Sequence, residues 1–201
     1  TSKDSACSEM DPDVIDTRES VAAQKEETMH KYAVMSDAAY NFYYDGKEKT
    51  EDLLKNYLPL HSLDEELSDP MSVVVKKGDE VTIAYRGTDP SNPKDLATDL
   101  TDVALKSPLS SFGYFDTALQ KYDAVKAKYG DNARISTTGH SLGGSLAFYA
   151  GKKRDVPSTL FNMGASPFDL LPSLLFDPPT NRATHYHVAG DPISASRVIK
   201  D

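Results

Sequence analysis

The strongest constraint on this chain is the pentapeptide Gly139-His140-Ser141-Leu142-Gly143. It lies between a β-branched run, Arg134 to Thr138, and a Leu-, Ala- and Phe-rich segment, Ser141 to Lys152. G-x-S-x-G at a strand-to-helix junction predicts a sharp turn, with glycines flanking the serine because its strained backbone leaves no room for neighbouring side chains. Such a turn lifts the serine hydroxyl above the strand end. It also sets the partial positive charge of a helix amino terminus where an oxyanion would form. Ser141 is therefore the candidate nucleophile. The competing reading is a serine that caps an ordinary helix, with glycines for close packing.

The flanking periodicity supports a fold that presents such a turn. Residues 1 to 28 are acidic and poor in large apolar groups, and read as a mobile leader or as the solvated face of a helix beginning near Asp16. From Thr28, Met29, Tyr32, Ala33, Ala39, Tyr40 and Tyr43 recur at near-helical spacing until Asp45-Gly46, and predict a core-facing helix whose tyrosines pack. Residues 47 to 70 read as a charged surface connection with a short helix near Asp52 to Tyr57. Met71 to Lys76 and Glu80 to Arg86 read as a hairpin about Lys77-Gly78-Asp79. A helix is expected from Tyr114 to Tyr129, closed by Gly130, and further strands at Ser158 to Met163 and Ala183 to Ala189. Alternating strands and helices of these lengths predict an α/β domain over residues 29–201, with a mostly parallel sheet covered by helices on both faces.

With 201 residues there is chain enough for one domain, and 39% hydrophobic content is too apolar for wholesale disorder. Twenty-two Lys and Arg against 31 Asp and Glu leave a charge of −9, which argues against nucleic acid as a partner. No apolar run reaches the roughly 18 residues that a spanning helix needs. No basic start or apolar signal core is visible in the first thirty residues. The single cysteine, Cys7, can form neither an internal disulfide nor a metal cluster. Together with the lack of an Asn-x-Ser/Thr sequon, it weighs against a disulfide-stapled, glycosylated secreted protein and leaves the compartment unassigned.

A nucleophilic serine needs an oxyanion hole, a base and an orienting carboxylate. Arg86-Gly87-Thr88, at the end of the Glu80 strand, is placed to supply the first: the Thr88 backbone N–H would face that of Leu142 across the reacting carbonyl. Asp191, in Gly190-Asp191-Pro192 after the last strand, is the best candidate for the acid; its other reading is an Asp-Pro turn former.

Several segments in shared order resemble the class 3 lipase family, the fungal-lipase-like branch of the α/β-hydrolases, over roughly residues 29 to 199. They are Met35-Ser36-Asp37-Ala38-Ala39-Tyr40, Ala84-Tyr85-Arg86-Gly87-Thr88, Asp95-Leu96-Ala97-Thr98-Asp99-Leu100, Gly113-Tyr114-Phe115, Thr138 to Gly144, and His187-Val188-Ala189-Gly190-Asp191-Pro192-Ile193. The resemblance implies an α/β-hydrolase fold, Ser141 as nucleophile, Asp191 as triad acid and Thr88 with Leu142 as the oxyanion pair. It also implies hydrolysis of a carboxylic ester or lipid without metal or cofactor.

The chain departs from that pattern where the base belongs. The family's catalytic histidine follows the aspartate, whereas none of residues 192–201 is a histidine. The fold is thus expected to be incomplete at its carboxyl end, the base coming from a downstream segment or another chain. His140 is expected to point away from the serine and pack. His187 matches a histidine that precedes the family's acid and is expected to fix that loop. His185 lies two residues earlier on the same strand face, and either would have to reach Ser141 from the strand bearing the acid. His30 and His61 read as structural. The usual histidine before Gly113 is Ser111 here, and the usual glycine-x-proline turn has become Gly164-Ala165-Ser166-Pro167. The lid position, Pro90-Ser91-Asn92-Pro93-Lys94, has no large apolar residue, so strong interfacial activation is not expected. Leu100, Val103, Leu105, Leu109 and Phe112 either wall a binding site or bury into the core. Two functions follow: a lipase- or esterase-like serine hydrolase, and a catalytically incomplete lipase-like scaffold serving as a component of a larger assembly.

Overall fold

In the computed structural model, residues 12–87, 108–162 and 182–187 are described, those of 12–18 and 108–114 by backbone only. The described residues form four helices and six strands in this order: α1 Pro12–Asp45, α2 Lys47–Tyr57, β1 Ser62–Asp69, β2 Ser72–Lys77, β3 Glu80–Tyr85, α3 Pro108–Tyr129, β4 Arg134–His140, α4 Leu142–Arg154, β5 Ser158–Phe161 and β6 Ala183–Tyr186. The strands form one sheet in the order β1-β2-β3-β4-β5-β6. The β1/β2 and β2/β3 junctions are antiparallel, and β3/β4, β4/β5 and β5/β6 are parallel.

The expected, mostly parallel sheet is thus matched in part, at three of five junctions: the expected hairpin gives one antiparallel junction, and β1, within the segment expected to be a surface connection, gives the other. Ser62–Asp69 carries four carboxylates and no β-branched residue. It is a strand because its backbone pairs with β2, at Val74 to Lys76 and again at Ser72. The hairpin of β2 and β3 forms as expected, with Gly78 at φ 59° in its turn. α1 begins at Pro12, inside the expected leader. A proline suits the first helical turn and nothing interrupts the helix before Gly46; residues 19–28 are exposed.

Two apolar clusters flank the sheet. On one face Val34, Met35, Ala38 and Ala39 of α1 and Leu53 and Leu54 of α2 cover Val73, Val75 and Ala84. On the other, Phe115, Tyr122 and Val125 of α3 and Leu146, Ala147 and Phe148 of α4 cover Val74, Ile83, Ile135 and Leu160. Strands buried on both faces lose polar alternation, which is why Val73, Val74 and Val75 follow one another. Burial of a side chain such as Leu146, 1% exposed, contributes about 1.5–3 kcal/mol.

Helix α1 is placed on β4 by a polar ladder. Tyr32 Oη meets Ser136 Oγ at 3.4 Å, Ser36 Oγ meets Thr138 Oγ1 at 3.3 Å, and Tyr40 Oη meets His140 Nδ1 at 3.1 Å. Four helical residues rise about 6.0 Å and two strand residues about 6.6 Å, so every fourth residue of one stays opposite every second residue of the other. The tyrosines expected only to pack divide their roles: Tyr32 and Tyr40 bond the sheet, and Tyr43 is 42% exposed.

Candidate active site

β4 ends at His140, and the chain turns into α4 through Ser141 at φ 58°, ψ −122°. Among the described residues, the other non-glycine residues at positive φ are Asp155 and Asn162, both of types that tolerate it. A serine in this region costs about 1–3 kcal/mol and persists only where the surroundings impose it. Here the Ser141 N–H donates to the Phe161 carbonyl at 3.0 Å, and the Ser141 carbonyl accepts from the Ser145 N–H at 3.2 Å.

The Ser141 side chain makes no capping hydrogen bond. That disposes of the reading in which it serves α4 as an ordinary cap. The first-turn N–H groups of α4, Leu142 among them, have no partner within the helix, and no acidic side chain lies in that turn. The helix therefore offers positive potential beside the hydroxyl that no side chain of its own first turn offsets.

Glycines allow the turn to close. A Cβ on Gly139 would lie 2.2 Å from the Gly143 carbonyl oxygen, and one on Gly143 would lie 2.1 Å from the Tyr85 carbonyl oxygen. The end of β3 is packed just as tightly: a Cβ on Gly87 would lie 2.5 Å from both the His140 carbonyl oxygen and Tyr40 Oη. Arg86 holds that end. Its N–H donates to the Met71 carbonyl at 2.8 Å, its Nε to the Pro70 carbonyl at 2.8 Å, its Nη1 to the Gly87 carbonyl at 3.4 Å, and its guanidinium lies 3.9 Å from the Tyr43 ring centre.

Ser141 and Leu142 thus stand at the carboxyl edge of the parallel strands, beside Gly87. Thr88 and Asp191 lie outside the described residues, as do the lid segment 90–94, Leu100, Val103, Leu105, Ser166 and Cys7; the side chains of Leu109, Ser111 and Phe112 are likewise not described. The parallel ladder brings the end of β6 to that same edge: His140 pairs with Phe161, and Phe161 with Tyr186.

The histidines separate by environment. His140 faces α1, bonded to Tyr40. The rings of His185, on β6, and His187, just past its end, lie 4.1 Å apart. Burial, and then the charge of His187, hold the His185 imidazole below its ordinary range. His30 is buried near Tyr57, and His61 precedes β1 at the amino edge of β3. Among the described residues, no histidine hydrogen-bonds the Ser141 hydroxyl. A cavity of about 460 Å³ lined by Tyr32, His61, Glu80, Arg134 and Arg182 opens at that amino edge, the opposite end of the sheet from Ser141. The described residues hold no group of three His, Cys, Asp or Glu able to bind a metal, and no helix long and apolar enough to cross a membrane.

Periodicity gave no sign of Tyr40 or Arg86 as part of this site; both sit in segments that carry the family resemblance, which was the available signal. No family model matches the chain, and no curated protein matches it. Among solved structures the chain is similar to lipase II from Rhizopus niveus, at 14% identity and a TM-score of 0.48, over 85% of this chain and 83% of that one.

Proposed function

We propose that this chain is a serine hydrolase of carboxylic esters, of the lipase or esterase type. The observation that carries the reading is Ser141 itself, a non-glycine residue at φ 58°, ψ −122° whose hydroxyl is not spent on a cap, at the amino end of α4. Strain of this kind persists where function requires it.

In the proposed mechanism Ser141 Oγ attacks the ester carbonyl carbon and loses its proton to a base. The N–H groups of Leu142 and Thr88 bind the oxyanion, and Asp191 orients the base. The base is a histidine that Asp191 orients, which keeps the imidazole in the tautomer able to take the serine proton. Collapse of the tetrahedral intermediate expels the alcohol, which takes the proton from the base. Water then cleaves the acyl-enzyme by the same path in reverse.

Among the described residues no histidine bonds the Ser141 hydroxyl, which favours a second reading, a lipase-like scaffold acting within a larger assembly. Loss of a triad member costs about 10⁴ to 10⁶ in rate, leaving only the oxyanion hole and binding. Fluorophosphonate labelling of the protein separates the two, with Ser141→Ala as control. Labelling at Ser141 supports the hydrolase; no labelling leaves the scaffold.

A further inference from the structure

We propose that Tyr40 is a positioning residue for the Ser141 site: its hydroxyl ties the end of β3 to the β4–α4 turn and sets the gap between the two segments that would bind the oxyanion. This rests on the hydrolase reading above. Three segments distant in sequence meet at that one oxygen. Tyr40 Oη lies 3.1 Å from His140 Nδ1 and donates to the His140 carbonyl at 3.3 Å, with the two rings in edge contact at 5.9 Å. One arrangement of protons satisfies both contacts: the Nδ1–H donates to Oη, and the Oη–H donates to the carbonyl.

The third segment is the end of β3. A Cβ on Gly87 would lie 2.5 Å from Tyr40 Oη, 2.5 Å from the His140 carbonyl oxygen and 3.1 Å from the Gly143 nitrogen. The hydroxyl, the carbonyl before Ser141, the first turn of α4 and the residue before Thr88 therefore share one contact point. Tyr32 and Ser36, the lower rungs of the same ladder, reach only side-chain hydroxyls of β4. Tyr40 alone of the three bonds the main chain of the turn.

A phenylalanine at position 40 keeps the ring and removes both bonds. The β3/β4 ladder still reaches Tyr85 and Gly139, but the turn beyond it loses the hydroxyl that packs it against Gly87, and donors must be fixed to a fraction of an ångström to act on an oxyanion. Removing an oxyanion donor outright costs about 10²- to 10³-fold, so loosening its support is expected to cost about 10- to 100-fold.

The test compares fluorophosphonate inactivation of the wild-type protein with Tyr40→Phe and Tyr32→Phe, with melting temperatures alongside. The expected result is a maximal inactivation rate reduced about 10- to 100-fold in Tyr40→Phe, with the half-saturating probe concentration changed less than about threefold. Tyr32→Phe loses a comparable hydrogen bond remote from the turn, and is expected to lower the melting temperature without slowing inactivation. Equal rates for wild type and Tyr40→Phe, or equal slowing by both variants, overturn the proposal. A wild-type protein that does not label at Ser141 refutes the hydrolase reading, and the role of Tyr40 with it, before any variant is compared. Should Tyr40→Phe not fold, His140→Leu, which removes the Nδ1 contact and the ring contact while leaving the bond from Tyr40 Oη to the position-140 carbonyl, is expected to slow inactivation severalfold; a wild-type rate there overturns the proposal.

Discussion

Gly139 and Gly143 close the turn on each other: a Cβ added to Gly139 would lie 2.2 Å from the Gly143 carbonyl oxygen. The neighbour is main chain and cannot rotate aside. Gly139→Ala and Gly143→Ala are therefore each expected to destabilise the protein by about 2–3 kcal/mol, as overpacking of a rigid site does. Gly130→Ala, at φ 78° with open space around it, is expected to cost only about 1 kcal/mol. Urea unfolding of the three variants checks the order, and a Gly130 variant as unstable as the other two would refute the steric account.

Strain at Ser141 makes a second prediction. Ser141→Gly removes the side chain that disfavours φ 58°, while Ser141→Ala removes the hydroxyl and keeps the strain. After the extra backbone entropy of glycine is deducted, Ser141→Gly is expected to exceed Ser141→Ala in stability by about 1 kcal/mol, roughly 2–4 °C in melting temperature. Neither variant should label. Calorimetry that ranks the alanine variant as the more stable would remove the evidence for strain.

Asp64 anchors β1 to the end of α3. Its side chain, 2% exposed, accepts from Lys128 Nζ at 2.9 Å, from the Leu67 N–H at 3.1 Å and from the Tyr129 hydroxyl. Burial alone would raise the carboxyl, but the bonds from Tyr129, Lys128 and Leu67 outweigh it and hold the group below the usual carboxylate range. A folded value below the unfolded one gives stability that is complete above about pH 4 and lost as pH falls through the folded value. Asp64→Asn is expected to cost about 2 kcal/mol at pH 7 and progressively less below pH 4. Unfolding curves at pH 7, 5 and 3 measure this; a cost independent of pH would mean that the charge does not matter.

His61 works in the opposite pH range. Its ring nitrogens are buried without hydrogen-bond partners, and burial, with Lys31 and Lys77 nearby, holds its imidazole below the ordinary range. Below about pH 6.5 the unfolded chain takes the proton more readily than the folded one, so stability is lost as pH falls from there. Between pH 7.5 and 5.5, the wild-type melting temperature is expected to drop further than that of His61→Leu. Parallel curves for the two proteins would assign the drop to other groups.

Much of this was legible in local chemistry. Glycines around a serine between a β-branched run and a helical run specify a strand–turn–helix, and the turn is present with Ser141 at positive φ. Lys77-Gly78-Asp79 specifies a hairpin, and Asp45-Gly46 ends a helix; both hold. These signals are readable because steric limits on φ and ψ act on a few consecutive residues. β1 was not readable, since Ser62–Asp69 owes its conformation to pairing with β2 and not to its own side chains. Nor could any spacing bring Tyr40 to His140, 100 residues away, or set Gly87 against both. Those contacts follow from the docking of α1 across β4 and the packing of β3 beside it, and a period read along one segment carries no information about which other segment it will meet.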